Sequence, residues 1–112
     1  MIVAALKSDQ TAQLAETFGL LADPTRLAIV MACMEREIAA GGIAEKLGLS
    51  ASLVSHHLRL LRAARMLRAE RRGKQVFYSL ADACVRDVLN TMIEHLFVHE
   101  HANPDAFDEG DS

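Results

Sequence analysis

The sequence predicts a mainly α-helical fold carrying one small β-hairpin, and three observations predict it. Five stretches place apolar residues at helical spacing, and the fourth opens on a capping serine, Ser50, just after Gly48. Two short runs, Leu67 to Arg72 and Gln75 to Leu80, read as strands joined at Gly73-Lys74. The chain is 112 residues long and 51% apolar, yet it has only four Phe, one Tyr and no Trp. One small core of Leu, Ala, Val, Ile and Met is therefore implied.

Residues 1–7 are short and apolar. Helix 1 is expected from about Asp9 to Ala22, with Leu14, Phe18 and Leu21 on one face. Asp23-Pro24 marks a boundary, because Asp caps a helix and Pro at the first helical position forfeits no needed hydrogen bond. Helix 2 then runs from Pro24 to about Met34 through Leu27, Ile29, Val30 and Met31. Glu35 to Gly42 reads as a polar, Ala- and Gly-rich connection. Helix 3 covers about Ile43 to Leu47 and ends at Gly48, a left-handed residue past its C-terminus. Ser50 caps helix 4, so Gly48-Leu49-Ser50 joins two short helices as a helix-turn-helix.

In the hairpin, Val76, Tyr78 and Leu80 alternate with Phe77 and Ser79, as on a half-buried strand. Residues 82–101 form a last long helix with a broad apolar stripe: Val85, Val88, Leu89, Met92, Ile93 and Leu96. That stripe is wider than the hairpin could cover, so a homodimer through the first and last helices is favoured over purely internal packing. Residues 1–102 form one domain, and 103–112 are an acidic, disordered tail.

Charge is distributed unevenly. Between Ser50 and Lys74 lie seven of the twelve Lys and Arg residues: Arg59, Arg62, Arg65, Arg68, Arg71, Arg72 and Lys74. Glu70 is the one acid there, although the whole chain carries a net charge of −3. A positive block in an acidic protein points to a phosphate backbone. From Glu94 onward there are acids and no Lys or Arg, so the low overall pI says little against nucleic acid.

On helix 4, Ser52, Ser55, His56, Arg59 and Arg62 fall within about 120° of one another. Leu53, Val54, Leu58, Leu60 and Leu61 take the opposite side, with His57 in the middle of that arc. Hydroxyls, an imidazole and guanidiniums on one helix face suit a DNA major groove, where Ser and His meet base edges and Arg meets guanine or phosphate. A solvated surface helix is the plain alternative. His57, facing the apolar side, reads as a core histidine. The hairpin tip Arg71-Arg72-Gly73-Lys74 is too charged for a core and would lie on phosphate or in the minor groove, which makes the hairpin the wing of a winged helix. The candidate DNA-binding residues are Ser50, Ser52, Ser55, His56, Arg59, Arg71, Arg72, Lys74 and Gln75.

The order of elements, with LADPTRLAIV (21–30), IAEKLGLSASLVSHHLRLLRAARML (43–67) and ERRGKQVFYSL (70–80), resembles the ArsR/SmtB family of bacterial winged-helix repressors. The resemblance spans about Leu20 to His95. It implies a homodimer that represses transcription from a palindromic double-stranded operator. It also implies release from DNA when a metal ion binds or thiols are modified.

Against the family's sensor patterns, the Cys-x-Cys of the arsenic and cadmium type is absent, since 38–42 read Ile-Ala-Ala-Gly-Gly. The Zn2+/Co2+/Ni2+ type carries Asp-x-His at the start of the last helix and His-x-x-His or His-x-x-Glu about ten residues later. Here Asp82 and His95 match, Cys84 replaces a His, Val98 stands at the final position and His99 follows it. Asp82 and His95 are roughly 20 Å apart along one helix, against ligand distances of about 2 Å for zinc. Asp82, Cys84, His95 and His99 could therefore share an ion only across two antiparallel copies of the helix. Cys84, His95 and His99 lie within about 60° on the helical wheel, and this donor set suits Zn2+, Co2+ or Ni2+. The alternatives are polar histidines at a helix end with Cys84 as a small buried hydrophobe, a thiol switch using Cys33 and Cys84, or another inducer.

A protein-interaction module is a further alternative, opposed by the basic wing and the polar face of helix 4. No phosphate loop, nucleophile elbow or carboxylate pair suggests an enzyme. No apolar run is long enough for a membrane span and no signal peptide is apparent, so a cytoplasmic location is expected.

Overall fold

The computed structural model describes residues 5–98. Its elements are α1 (Ser8–Leu21), α2 (Pro24–Glu35), β1 (Ile38–Ala39), α3 (Ala40–Leu47), α4 (Ala51–Ala63), β2 (Leu67–Arg72), β3 (Gln75–Leu80) and α5 (Ala83–Ile93). A π-helical turn, Glu94–Val98, continues α5. The chain forms two compact units that divide between Ala81 and Asp82. The expected acidic tail and His99 lie outside the described residues.

Local chemistry sets most boundaries of the first unit. The Asp23 carboxylate accepts the Arg26 N–H at 2.9 Å, and Pro24 starts α2 where its missing N–H has no cost. That hydrogen bond holds the Asp23 carboxyl below its usual range. Gly48 ends α3 at φ +67°, a left-handed conformation that suits glycine. Ser50 Oγ accepts the Leu53 N–H at 3.2 Å and caps α4. Arg65 ends α4 at φ +62° without the relief a glycine would give, while the Met66 N–H reaches back to the Leu61 carbonyl at 2.9 Å.

The core lies among α2, α3, α4 and the sheet. Ile29, Val30 and Cys33 of α2 are buried with Ile43 of α3, and so are Val54, Leu58 and Leu61 of α4. Met66, Leu67 and Leu80 close it from the hairpin side. Leu53 departs from the expected apolar arc and is exposed, because it sits at the arc's edge just after the cap.

Two further departures have tertiary causes. The expected loop from Glu35 to Gly42 contains β1 and the first turn of α3. Ile38 and Ala39 become a strand by pairing with Tyr78 and Phe77 of β3, a partner their local sequence does not announce. Gly42 sits inside α3 where a Cβ would come 3.1 Å from Ile38 Cγ1, so the missing side chain makes room for β1.

The sheet order is β1-β3-β2, all antiparallel, with β2 and β3 in register from Leu67↔Leu80 to Arg72↔Gln75. β3 is therefore central. Val76 to Ser79 are all half-buried, and the expected in-out alternation is blurred. The two strands match their expected bounds, and Gly73 turns between them at φ +64°.

In the second unit, the Asp82 carboxylate accepts the Val85 N–H at 3.2 Å and caps α5. The helix expected over 82–101 is α-helical only to Ile93 before the π turn. None of its residues is buried, and Val88, Met92, Leu96 and Phe97 are among the exposed large hydrophobics.

Candidate nucleic-acid interface

Helix α4 divides sharply by exposure. Val54, His57, Leu58 and Leu61 are buried, whereas Ser52, Ser55, His56, Arg59 and Arg62 are exposed. Ser52, Ser55, Arg59 and Arg62 have no hydrogen-bond or ion-pair partner among the described residues. Their donors are open to a ligand. Ser50 lies on the same helix end, but its hydroxyl is occupied as the cap.

The adjacent histidines serve different surfaces, with ring centroids 5.6 Å apart and planes tilted by 54°. His56 faces out. His57, 8% exposed, packs into the core as its position in the apolar arc implies. Its Nδ1 lies 3.5 Å from Arg26 Nη1, and Arg26 Nε donates to the Leu20 carbonyl at 2.8 Å. One guanidinium thus ties the end of α1 and the start of α2 to the buried side of α4. Burial, and then the Arg26 charge, lower the His57 pKa below its ordinary value, so the ring is neutral at pH 7.

The hairpin's cations also separate. Arg71, Lys74 and Gln75 are exposed, and their side chains have no partner among the described residues. Arg68 Nε donates to Ser79 Oγ at 3.2 Å across the strands. Arg72 Nη2 donates to both carboxylate oxygens of Glu37, at 2.9 and 2.7 Å, and to Glu70 Oε1 at 3.0 Å. Its guanidinium carbon lies 4.9 Å from the centre of the Phe77 ring. The sequence showed Glu70 as a lone acid in a basic run. It gave no sign of Glu37, because that contact depends on β1.

The other candidate ligands are distributed along one helix. Asp82 caps α5, Cys84 is exposed in its first turn, and His95 is exposed in the π turn. No three metal-binding side chains cluster among the described residues. One chain does not bring Asp82 and Cys84 to His95, although a carboxylate, a thiol and an imidazole remain chemically suited to a zinc-type ion. Cys33 is different. It is buried in the core, and desolvation pushes its thiol pKa up to about 12, which leaves no thiolate at neutral pH.

Residues 23–69 match the model of the bacterial regulatory protein, arsR family. The transcriptional repressor SmtB homolog of Synechocystis is 41% identical over 79% of this chain and 67% of its own length. The HTH-type transcriptional regulator KmtR of Mycobacterium tuberculosis is 38% identical over 88% of this chain and 74% of its own. In fold, the chain is similar to a homodimeric winged helix-turn-helix DNA-binding domain from Mycobacterium bovis. That match has a TM-score of 0.73 at 24% identity and covers 90% of this chain and 94% of the other. Among the described residues, no single helix is long and apolar enough to cross a membrane.

Proposed function

The chain belongs to the ArsR/SmtB family of bacterial transcriptional regulators, and from that premise we propose that it is a homodimeric repressor released from a palindromic operator by a transition metal ion. It is a regulator with a winged helix-turn-helix fold, not an enzyme. The observation that carries the DNA-binding reading is the outer face of α4, where Ser52, Ser55, His56 and Arg59 are exposed. In this reading α4 lies in the major groove and His56 and the serines read base edges. Arg59 holds guanine or phosphate, and Ser50 lies at the helix end that enters the groove. Arg71, Lys74 and Gln75 of the wing sit on the backbone, and Arg72 belongs to the same basic tip.

Exposed apolar side chains support the dimer. Leu14 and Phe18 of α1 are 47% and 56% exposed, and Val88 and Met92 of α5 are 53% and 52% exposed. Burying both helices against a second copy would remove these surfaces from water. A two-fold axis that sets α5 antiparallel to its mate would bring Asp82 and Cys84 of one protomer towards His95 and His99 of the other. A bound Zn2+, Co2+ or Ni2+ would supply the free energy that favours a dimer shape spacing the two α4 helices badly for the operator. Such a repressor would act in the cytoplasm.

A thiol switch pairing Cys33 with Cys84 is the weaker reading, because the buried, protonated Cys33 is a poor nucleophile. The test is titration of zinc, cobalt and nickel into the reduced protein on a labelled fragment of its own promoter, with Cys84→Ser and His95→Ala alongside. Release by one metal, lost in both variants, is the expected result. Tight binding indifferent to every metal would keep the repressor and remove the metal.

A further inference from the structure

Arg72 is held across the width of the sheet. Strand register puts its surroundings on one face: Glu70 of β2 pairs with Phe77, and Ala39 of β1 pairs with Phe77 from the other side. Arg72 and Glu37 lie two residues along from those positions, so strand alternation returns them to the same face. The guanidinium passes over Phe77 and reaches both carboxylates, with Glu37 taking two of its three hydrogen bonds.

This contact lies where the hairpin has least support. β1 pairs only with Phe77 and Tyr78, so the rungs Arg71↔Val76 and Arg72↔Gln75 project beyond it as a two-stranded ribbon. Such ribbons are marginal on their own. The Arg72–Glu37 bonds connect the outermost rung to the chain just before β1.

We propose that Glu37 is a positioning residue for DNA binding: with Glu70 it holds Arg72 as a strut that fixes the basic tip, and Arg72 itself contacts no phosphate. This inference rests on the operator-binding reading. Two carboxylates surround one guanidinium, so a phosphate approaching Arg72 would meet Glu37 and Glu70 at close range and be repelled. The phosphate contacts then fall to Arg71 and Lys74, whose side chains are free. All three side chains of the clamp are partly exposed, at 46% for Arg72, 33% for Glu37 and 59% for Glu70. Exposed pairs add little to global stability, so variants of the clamp should stay folded.

The test measures operator affinity across a salt series for the full chain and for Glu37→Gln, Arg72→Ala, Arg72→Lys and Lys74→Ala. Lys74→Ala should flatten the dependence of log affinity on log salt by about 0.9, the signature of one lost phosphate contact. Glu37→Gln and Arg72→Ala should each weaken binding about three- to tenfold on every sequence with the salt slope kept, and together no more than Arg72→Ala alone. Arg72→Lys should behave like Arg72→Ala, because an ammonium lacks the fork that spans two carboxylates. Amide exchange at the hairpin tip should quicken in Glu37→Gln while the helices stay protected. A slope reduced in Arg72→Ala as in Lys74→Ala would overturn the proposal, as would Glu37→Gln binding as tightly as the parent or tighter. If the parent itself binds without salt dependence, the operator-binding reading has failed, and this inference fails with it.

Discussion

Arg26 Nη1 lies 3.5 Å from Nδ1 of the buried His57, which couples the first turn of α2 to the inner face of the helix proposed to read DNA. The guanidinium is permanently charged, so the imidazole meets it best as a neutral ring with its Nδ1 lone pair turned inward. The other charged or titratable groups acting on His57 are Asp23, which favours its charged form, and His56, which disfavours it.

Stability should therefore depend on pH with a definite sign. Folded His57 titrates below its unfolded value of 6.5, so only the unfolded chain takes up this proton as pH drops through 6.5. Stability is full above that value and declines as pH falls towards the folded pKa. Urea midpoints measured between neutral and mildly acidic pH should follow this course. His57→Leu should remove this component of the decline.

Ser50 separates capping from DNA contact. Ser50→Ala should cost about 1 kcal/mol through the lost α4 cap, whereas Ser50→Asp should keep the cap and most of the stability. On the operator the aspartate should bind worse than the alanine, because it places a negative charge at the helix end facing phosphate. Thermal melts and promoter titrations on the same two variants would check both halves.

His56 should act on preference rather than on overall affinity. His56→Ala is expected to change the ranking among operator variants with substituted bases and to leave the salt slope in place. An equal loss on every sequence would show that it is no base reader.

The two thiols should behave as different chemical species. With pKa about 12, Cys33 should resist alkylation until the protein is denatured. Mass spectrometry after brief iodoacetamide treatment should find modification at Cys84 and none at Cys33, and zinc should protect Cys84 if it is a ligand.

What was legible in the sequence is what local chemistry decides. Gly73 between two β-prone runs fixed the hairpin, Asp23-Pro24 and Ser50 marked helix starts, and the position of His57 among leucines foretold its burial. The rest depends on partners distant in sequence. β1 exists because β3 pairs with it, so Glu35 to Gly42 read as a loop. Arg72 reads as one more cation in a basic run until Glu37, 35 residues away, is folded against it. Arg26 gives no sign of reaching His57. Arg65 adopts a left-handed conformation without the glycine that would announce it. On α5 the donors repeat a recognisable pattern, yet one helix cannot close a site that requires two.

The place of β2 at the sheet's edge has a separate consequence. An edge strand offers unpaired backbone groups to any neighbouring chain, and arginines along it discourage strand-to-strand association. Arg68, Arg71 and Arg72, interrupted by Glu70, guard this edge as gatekeepers against aggregation. A variant that neutralised the whole strand to abolish DNA binding would also remove that protection, so its loss of activity would have to be distinguished from loss of soluble protein.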